Sequence, residues 1–471
     1  MTRASCQLVL FLSFVAAAPA LAQRDARTPS DNLLTQQRLI DRQVFEQRRE
    51  QAPLNSLLDW QWGGWLEYFL FDFDDGVQAQ RVSQRPGLAA WTRLRIDDGA
   101  HEFFARVKMS FEQFNSGDEF SRPHDWTGPN LERGWYQIDV GRAFGWTNPD
   151  DPIQFRARIG RQEVRFGTGY ALDMPLDAVV ANLKLSDFRL TGLLGKTIAR
   201  FPNVDRSRPV ANHSARRFFG AQLTYEGFER HEPFAYALWN DDFTDARPKH
   251  PLKRYAYDTR YFGIGSRGEL AHNFNYWTEW VIESGHSFGD GDFRRRDRVR
   301  AWAWDVGIEK LWDHPARPRA ALEYMFASGD RGRLLSPTSS AGGNRGDRDD
   351  AGFVGFGYRD TGISASPVNS NMHIWRAGGS FVPLYAYDAF RDLEIGSNTF
   401  LYYKHHRRAA ISDPTAQQFA GYVGWEMDTF VNWRMASDVA WTMRWGMFFP
   451  GDAFQDRSSR SFLLVGLTWS F

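Results

Sequence analysis

The chain has 471 residues, with 57 basic side chains against 57 acidic ones, so no global field of either sign points to nucleic acid. Its one cysteine, Cys6, lies inside an apolar leader, and a chain that loses this leader can build no disulfide, thiolate metal site or cysteine nucleophile. Aromatic residues reach 15%, with 19 tryptophans, and arginine outnumbers lysine fifty to seven, a bias toward the cation that grips carboxylate or phosphate with two donors.

Residues 1–22, MTRASCQLVLFLSFVAAAPALA, read as a Sec signal peptide. Arg3 supplies the positive start, Leu8 to Ala18 the apolar stretch, and Ala20-Leu21-Ala22 the small-residue cleavage site. Residues 23–60 form a distinct N-terminal periplasmic extension. Within it, Ser30 and Asp31 precede Leu33, Leu34, Ile40 and Val44 at roughly helical spacing, which predicts a short amphipathic helix or a partly ordered segment, with a plug as the alternative. No later apolar run is long enough for a transmembrane helix. The mean hydropathy of −0.51 suits a soluble chain, and equally a membrane barrel whose lumen, turns and loops are wet.

From Trp62 onward the apolar period is two. Phe103, Ala105, Val107, Met109 and Phe111 alternate with Phe104, Arg106, Lys108, Ser110 and Glu112. The same pattern sets Phe274, Tyr276, Trp280 and Ile282 against Asn273, Asn275, Glu279 and Glu283. Near the end, Val439, Trp441, Met443, Trp445, Met447 and Phe449 share one face, while Asp438, Ala440, Thr442, Arg444 and Gly446 share the other. About eighteen strand segments follow, near 62–72, 88–97, 100–114, 131–143, 153–166, 177–185, 187–200, 214–227, 231–242, 255–268, 271–285, 298–312, 316–327, 371–382, 397–408, 417–434, 436–449 and 459–471. Alternation alone also fits a soluble sandwich, but the connections do not. They are alternately tight, as at Asp98-Gly99 and Leu185 to Asp187, and long and rich in Gly, Asp, Asn and Pro, as from Ser328 to Gly362. Short turns at one end and long loops at the other belong to outer-membrane barrels and not to a Greek-key sandwich. The final segment places Leu463, Val465, Leu467, Trp469 and the terminal Phe471 on one face, like the C-terminal assembly strand of bacterial outer-membrane proteins. The fold class expected for 61–471 is all-β, a transmembrane antiparallel β-barrel embedded among outer-membrane lipid and lipopolysaccharide.

If the oily faces meet lipid, the opposite faces line the lumen. The cations there are Arg93, Arg95, Arg106, Lys108, Arg156, Arg158, Arg376, Lys404, Arg434 and Arg444. The anions are Glu112, Asp139, Glu279, Glu283, Asp305, Glu309, Glu426 and Asp428. The cations fall in the second, third and fifth segments and again in the last five, and closing the barrel makes these runs neighbours. The acids of segments eleven to thirteen are then expected across from an arginine-rich half. Such a wall would pass a polyanion by many weak contacts, or else shape the transverse field of a general porin.

FRARIGRQEVRFGTG (Phe155 to Gly169), with its Gly160-Arg161-Gln162 step, RWGMFFPGDAF (Arg444 to Phe454), GWYQIDVG (Gly134 to Gly141) and the terminal aromatic resemble the alginate export family of outer-membrane barrels. The resemblance implies an eighteen-stranded barrel, working as a single-pore monomer, that exports an anionic exopolysaccharide through an arginine-lined constriction, in association with periplasmic export scaffold proteins. Arg161 and Arg444 match positions that the family associates with the polyanion path, and Arg133 is a looser match. Arg161 shares the outward face with Ile159, so a lumen position requires a bulge or strand end after Gly160. In alginate exporters a long periplasmic connection lies between the third-last and second-last core segments. Here it shrinks to RMASD, leaving PLYAYDAFRDLEIG (Pro383 to Gly396) as the longest periplasmic candidate.

Other motifs carry less. DFDDG (Asp72 to Gly76) and GDGD (Gly289 to Asp292) lack the distal bidentate glutamate of a calcium loop. His405 and His406 point to opposite faces of a strand, and no Gly-x-Ser-x-Gly elbow is present. The expectation is therefore a channel with no cofactor, metal or catalytic residue. An exporter of an alginate-like polymer stands first, with a general or anion-selective diffusion porin for small solutes as the alternative and a loop-rim enzyme third.

Overall fold

A computed structural model describes residues 58–74, 76, 80–114, 124–145, 153–198, 215–243, 257–287, 296–338, 344 and 349–471. The signal segment and nearly all of the N-terminal extension lie outside the described residues. Eighteen long strands follow one another: β1 (Leu58–Asp74), β2 (Arg81–Ile96), β3 (His101–Phe114), β4 (His124–Asp139), β5 (Ile153–Phe166), β6 (Leu172–Leu185), β7 (Phe188–Lys196), β8 (Arg216–Tyr225), β9 (His231–Asp242), β10 (Asp258–Ala271), β11 (Phe274–Ser287), β12 (Asp297–Leu311), β13 (Arg319–Ala327), β14 (Met372–Phe381), β15 (Leu393–Lys404), β16 (Tyr422–Arg434), β17 (Val439–Pro450) and β18 (Arg460–Ser470). Each of the eighteen overlaps an expected segment. Neighbours in sequence pair antiparallel, and β1 pairs with β18 from Trp65↔Ser470 to Asp74↔Ser461, which closes the barrel. Asp349 and Asp350 add a two-residue parallel bridge to β12.

The closure is finished by the last residue. Phe471 and Gly64 exchange two backbone hydrogen bonds of 3.0 Å each. A Cβ on Gly64 would lie 2.7 Å from the Phe471 ring and 2.5 Å from the Ala89 carbonyl, so glycine is what allows the terminal aromatic to seat. No sheet edge is left where the chain begins and ends its wall.

Burial is inverted relative to a soluble protein. Trp60 and Trp62 are each 67% exposed, and Leu194, Ile159 and Leu322 are also exposed. Meanwhile Arg106, Glu279, Glu283, Asp305 and Glu426 are buried. Apolar residues outside and charge inside require lipid as the outer solvent. On β17, Trp441 stands opposite the exposed Leu467 of β18, while Arg444 stands opposite the buried Leu464, so the arginine faces in. The tight connections, such as Asp97–Ala100, Ser186–Asp187 and His272–Asn273, gather at one end with the positive φ values such turns need.

Two connections at the opposite end do not stay outside. β5 pairs with β4 only up to Gly134↔Arg161, and β6 pairs with β7 only from Asp177↔Lys196 downward. The hairpin tip between them, residues 162–176, is joined to neither wall and enters the barrel. The β13–β14 connection also folds in, at residues 353–365. The two meet: Leu172 bridges Phe356, the Phe356 amide donates to the Ala171 carbonyl at 2.8 Å, and the Asp173 amide donates to the Phe356 carbonyl at 3.2 Å.

Candidate functional site: a partitioned lumen

Gly160 is where β5 leaves the wall. Its φ of +130° is open to glycine, and a Cβ there would fall 2.3 Å from the Gly134 carbonyl. Past it the apolar side chains Val164, Phe166, Leu172, Met174 and Leu176 join a buried cluster with Tyr236 of β9, Tyr261 of β10 and Phe353 and Phe356 of the long connection. The opposite, polar face of the tip is turned toward β4. Arg161 pairs with Asp177 at 2.9 Å and donates to the Leu131 carbonyl at 2.6 Å, while Glu163 meets Arg133 at 2.9 Å. Pairing with β4 ends only after Arg161, one residue later than a lumen position of Arg161 requires, and pairing with β6 continues without a register shift.

Acids of the wall hold both inward segments. Glu279 accepts from the Thr168 amide and hydroxyl, each at 2.5 Å, and from the Tyr236 hydroxyl at 2.6 Å. Glu283 accepts from the Val354 amide at 2.9 Å. Asp305 accepts from Arg359 at 2.8 Å, and Arg359 donates onward to the Thr168 carbonyl at 2.9 Å, so one guanidinium ties the two segments to the wall. Across the lumen, Glu426 accepts from the successive amides of Ile363, Ser364 and Ala365 at 2.7, 2.6 and 2.8 Å, and Asp428 accepts from Ile363 at 3.1 Å. Ile363 then packs on Phe69, Phe71, Phe462 and Leu464 of the β1–β18 wall. The acids expected to face the arginines across open lumen lie beneath this partition instead, because buried backbone N–H groups need acceptors.

The cations divide accordingly. Neither apolar cluster contains a residue of β2, β3 or β4 among the described residues, and the inner faces of these strands carry Arg93, Arg95, Arg106, Lys108 and Arg133. Arg93 pairs with Glu102 at 2.5 Å, and Arg95 lies 3.8 Å from Glu102 and 4.0 Å from Asp59. Arg106 pairs with Glu132 at 2.7 Å and Lys108 with Glu67 at 3.0 Å. Arg156 pairs with Asp139 at 2.8 Å, and Asp139 also caps the helical turn Val140–Ala143. Arg158 is held by the Gln137 side-chain oxygen at 2.7 and 3.1 Å and lies 4.0 Å over the Trp135 ring. Arg376 pairs with Glu323 at 2.7 Å and with Asp360 of the inward connection at 3.2 Å. Lys404 caps the Ala416 carbonyl at 2.8 Å, and Arg434 the Ser437 carbonyl at 3.2 Å, both near strand ends. Arg444 stands 5.6 Å over Phe430 with its Nε buried and unmatched by any acceptor.

At the short-turn end, the connection Pro383–Asp392 docks on its neighbours. Phe390 stacks on Trp433 at 5.2 Å, Trp433 donates to the Ala389 carbonyl at 3.1 Å, and Arg317 donates to the Arg391 carbonyl at 2.8 Å. The RMASD turn is tight, with the Met435 and Ala436 amides both donating to the Val439 carbonyl. Among the described residues no group of three or more His, Cys, Asp or Glu side chains is placed to hold a metal ion.

Residues 95–464 match the family described as alginate export. No curated protein sequence matches. Similar solved structures include a BenF-like porin from Pseudomonas fluorescens Pf-5, at 9% identity and a TM-score of 0.53, covering 88% of this chain and 98% of that one. OccK8 (OprE) from Pseudomonas aeruginosa is similar at 11% identity and a TM-score of 0.52, covering 88% and 98%. The outer-membrane protein OprD from Pseudomonas aeruginosa is similar at 11% identity and a TM-score of 0.51, covering 88% and 94%. At these identities the likeness is one of fold.

Proposed function

The chain belongs to the alginate export family, and on that premise we propose that it passes an anionic, alginate-like exopolysaccharide outward along the β2–β5 side of its lumen. Family and fold are those of an outer-membrane channel and not of an enzyme. The observation that carries the proposal is the cation-lined arc: among the described residues the two apolar clusters draw on every wall strand but β2, β3 and β4, and these three keep a run of inward cations outside both. Nearly all of these cations already hold an acid. A uronate carboxylate arriving at Arg95, Arg133 or Arg156 exchanges with Glu102, Glu163 or Asp139, so each contact forms and releases at small net cost. Arg444 differs, because its Nε has no acceptor to lose, and it would give the polymer its firmest hold. Arg158 and Arg161 complete the proposed path, whereas Arg376, paired with Glu323 and Asp360, serves it by fixing the partition. Glu426 and Asp428 act on it indirectly, by fixing the partition. In this reading the polymer reaches the short-turn end from periplasmic export scaffold proteins.

One observation favours the second reading, a diffusion porin. The RMASD turn is short, and the Pro383–Asp392 connection packs on Trp433 and Arg317, so among the described residues no periplasmic element is built as a gate. The discriminating experiment is single-channel conductance of the refolded barrel in a planar bilayer, with ion selectivity, before and after addition of a polyuronate or a neutral glucan. Anion selectivity and block by the polyuronate alone, both reduced in Arg444→Glu, are expected for an exporter. A large, weakly selective conductance indifferent to either polymer would leave the diffusion porin.

A further inference from the structure

Most large aromatic residues of the wall face lipid, as the interfacial girdles of a barrel require. A second set has no such reason for its position. Trp91 on β2, Phe104 on β3 and Trp135 on β4 lie on the inner face, Trp91 opposite Arg106 and Phe104 opposite Trp135 in register. Their rings run nearly parallel from strand to strand, with centroids 6.4 Å apart at 22° and then 5.5 Å apart at 23°. The Arg158 guanidinium lies 4.0 Å over Trp135 and is steadied by Gln137. Beside the row, Arg106 lies 5.4 Å over Trp65, also on the inner face. Trp91 and Trp135 are only partly buried, whereas Phe104 between them is buried. All three row positions stand within five residues of the strand ends on the periplasmic side, roughly 10 to 15 Å up a tilted strand from that rim.

We infer that Trp91 and Trp135, seated on the buried Phe104, form with Arg158 a stacking track that reads the sugar rings of the polymer as it enters. The inference rests on the export reading and deepens it. A polyanion needs only the cations. A chain of pyranose rings also presents apolar C–H faces, which an aromatic surface covers without demanding a fixed hydrogen-bond geometry, so the chain can slide. The Arg158 guanidinium over Trp135 then supplies a cation for a carboxylate carried on such a ring. Charge at one end of a parallel aromatic row selects a uronic acid polymer over a neutral glucan, which lacks the carboxylate, and over a polypeptide anion, which lacks the ring.

The test uses block of the single-channel current by a polyuronate and by polyglutamate of matched length and charge. The unaltered barrel should be blocked by the polyuronate at about tenfold lower concentration, the equivalent of about 1.4 kcal/mol. Trp135→Leu and Trp91→Leu should abolish that preference while leaving block by polyglutamate unchanged. Trp135→Tyr, which keeps a ring, should retain it, and heat-modifiable gel mobility reports that each variant is folded. Equal block of the unaltered barrel by the two polymers would overturn the track and leave the export reading standing. Preference kept in the Leu variants, or lost equally in Trp135→Tyr, would also overturn it. Indifference to both polymers would remove the export reading and the track together.

Discussion

Replacing Glu426 by alanine should loosen the partition and change the current through a single barrel. The carboxylate is fully buried and serves as acceptor for three successive amides, Ile363, Ser364 and Ala365, at 2.6 to 2.8 Å, with Tyr402 donating at 3.1 Å. A hydrogen bond to a charged acceptor contributes about 1.5 to 3 kcal/mol. At the low end three such bonds amount to about 4.5 kcal/mol, a shift of more than about a thousandfold in the ratio of docked to undocked connection. Asp428, on the same strand, reaches only the Ile363 amide and cannot replace the other two acceptors. Ile363 would then leave Phe69, Phe71, Phe462 and Leu464, and the lumen beside β1 and β18 would open. Planar-bilayer recording should show a higher mean conductance, or transitions between two levels, where the unaltered barrel holds one. Glu426→Gln should be intermediate, since one amide oxygen still accepts while the NH2 group opposes the remaining donor. A folded Glu426→Ala barrel with unchanged conductance and noise would refute the idea that this carboxylate holds the connection in the lumen.

Gly160→Ala should impair the inward turn of the β5–β6 hairpin, because the new Cβ would meet the Gly134 carbonyl at 2.3 Å from a backbone with φ of +130°. Reduced refolding yield and a lower thermal midpoint are expected, and a midpoint within one degree of the unaltered barrel would argue against a hinge. Acidification should weaken the extracellular rim at His405. Burial first, then His406, His373 and Arg331, push its pKa down to about 4, and its neutral Nδ1 accepts from the Gly329 amide. A folded-state value below the ordinary one contributes stability above about pH 6.5 that is lost as pH falls toward 4. The thermal midpoint should therefore drop over that window, by less in His405→Gln. An equal drop in both proteins would place the effect elsewhere.

The wall was legible because it is local. A two-residue period, turn residues at alternate ends and a terminal aromatic strand each depend on neighbours in sequence, and the observed strands overlap every expected segment. Even the start of the sixth segment at 177 coincides with the residue where β6 joins β7, although the strand itself begins at Leu172 inside the barrel. The partition was not legible. Thr168 meets Glu279 across 111 positions and Arg359 across 191, and no periodicity reports contacts of that range. Inward acids such as Glu279, Glu283, Asp305 and Glu426 read as lumen charge because alternation gives a side chain's face and not its cover. Only a small signal was available: Gly160, Gly167 and Gly169 punctuate the hairpin more densely than a plain external turn needs.

Because the partition, among the described residues, draws on every wall strand but β2, β3 and β4, the conducting space is eccentric. Substitutions around the circumference should therefore sort into two arcs. Along β6 to β18 and onto β1 the inner face is a packed interior like that of a soluble domain, where most changed side chains alter how well the barrel folds. Along β2 to β4 it carries paired cations outside both apolar clusters, where reversing the charge of the half-buried Arg95, Lys108 or Arg133 should change the traffic at modest cost to folding. A saturation library sorted once for expression and once for permeability would draw the boundary between the arcs without any further structure, and the two seams, at β1 and at β5, are where both readouts should move together.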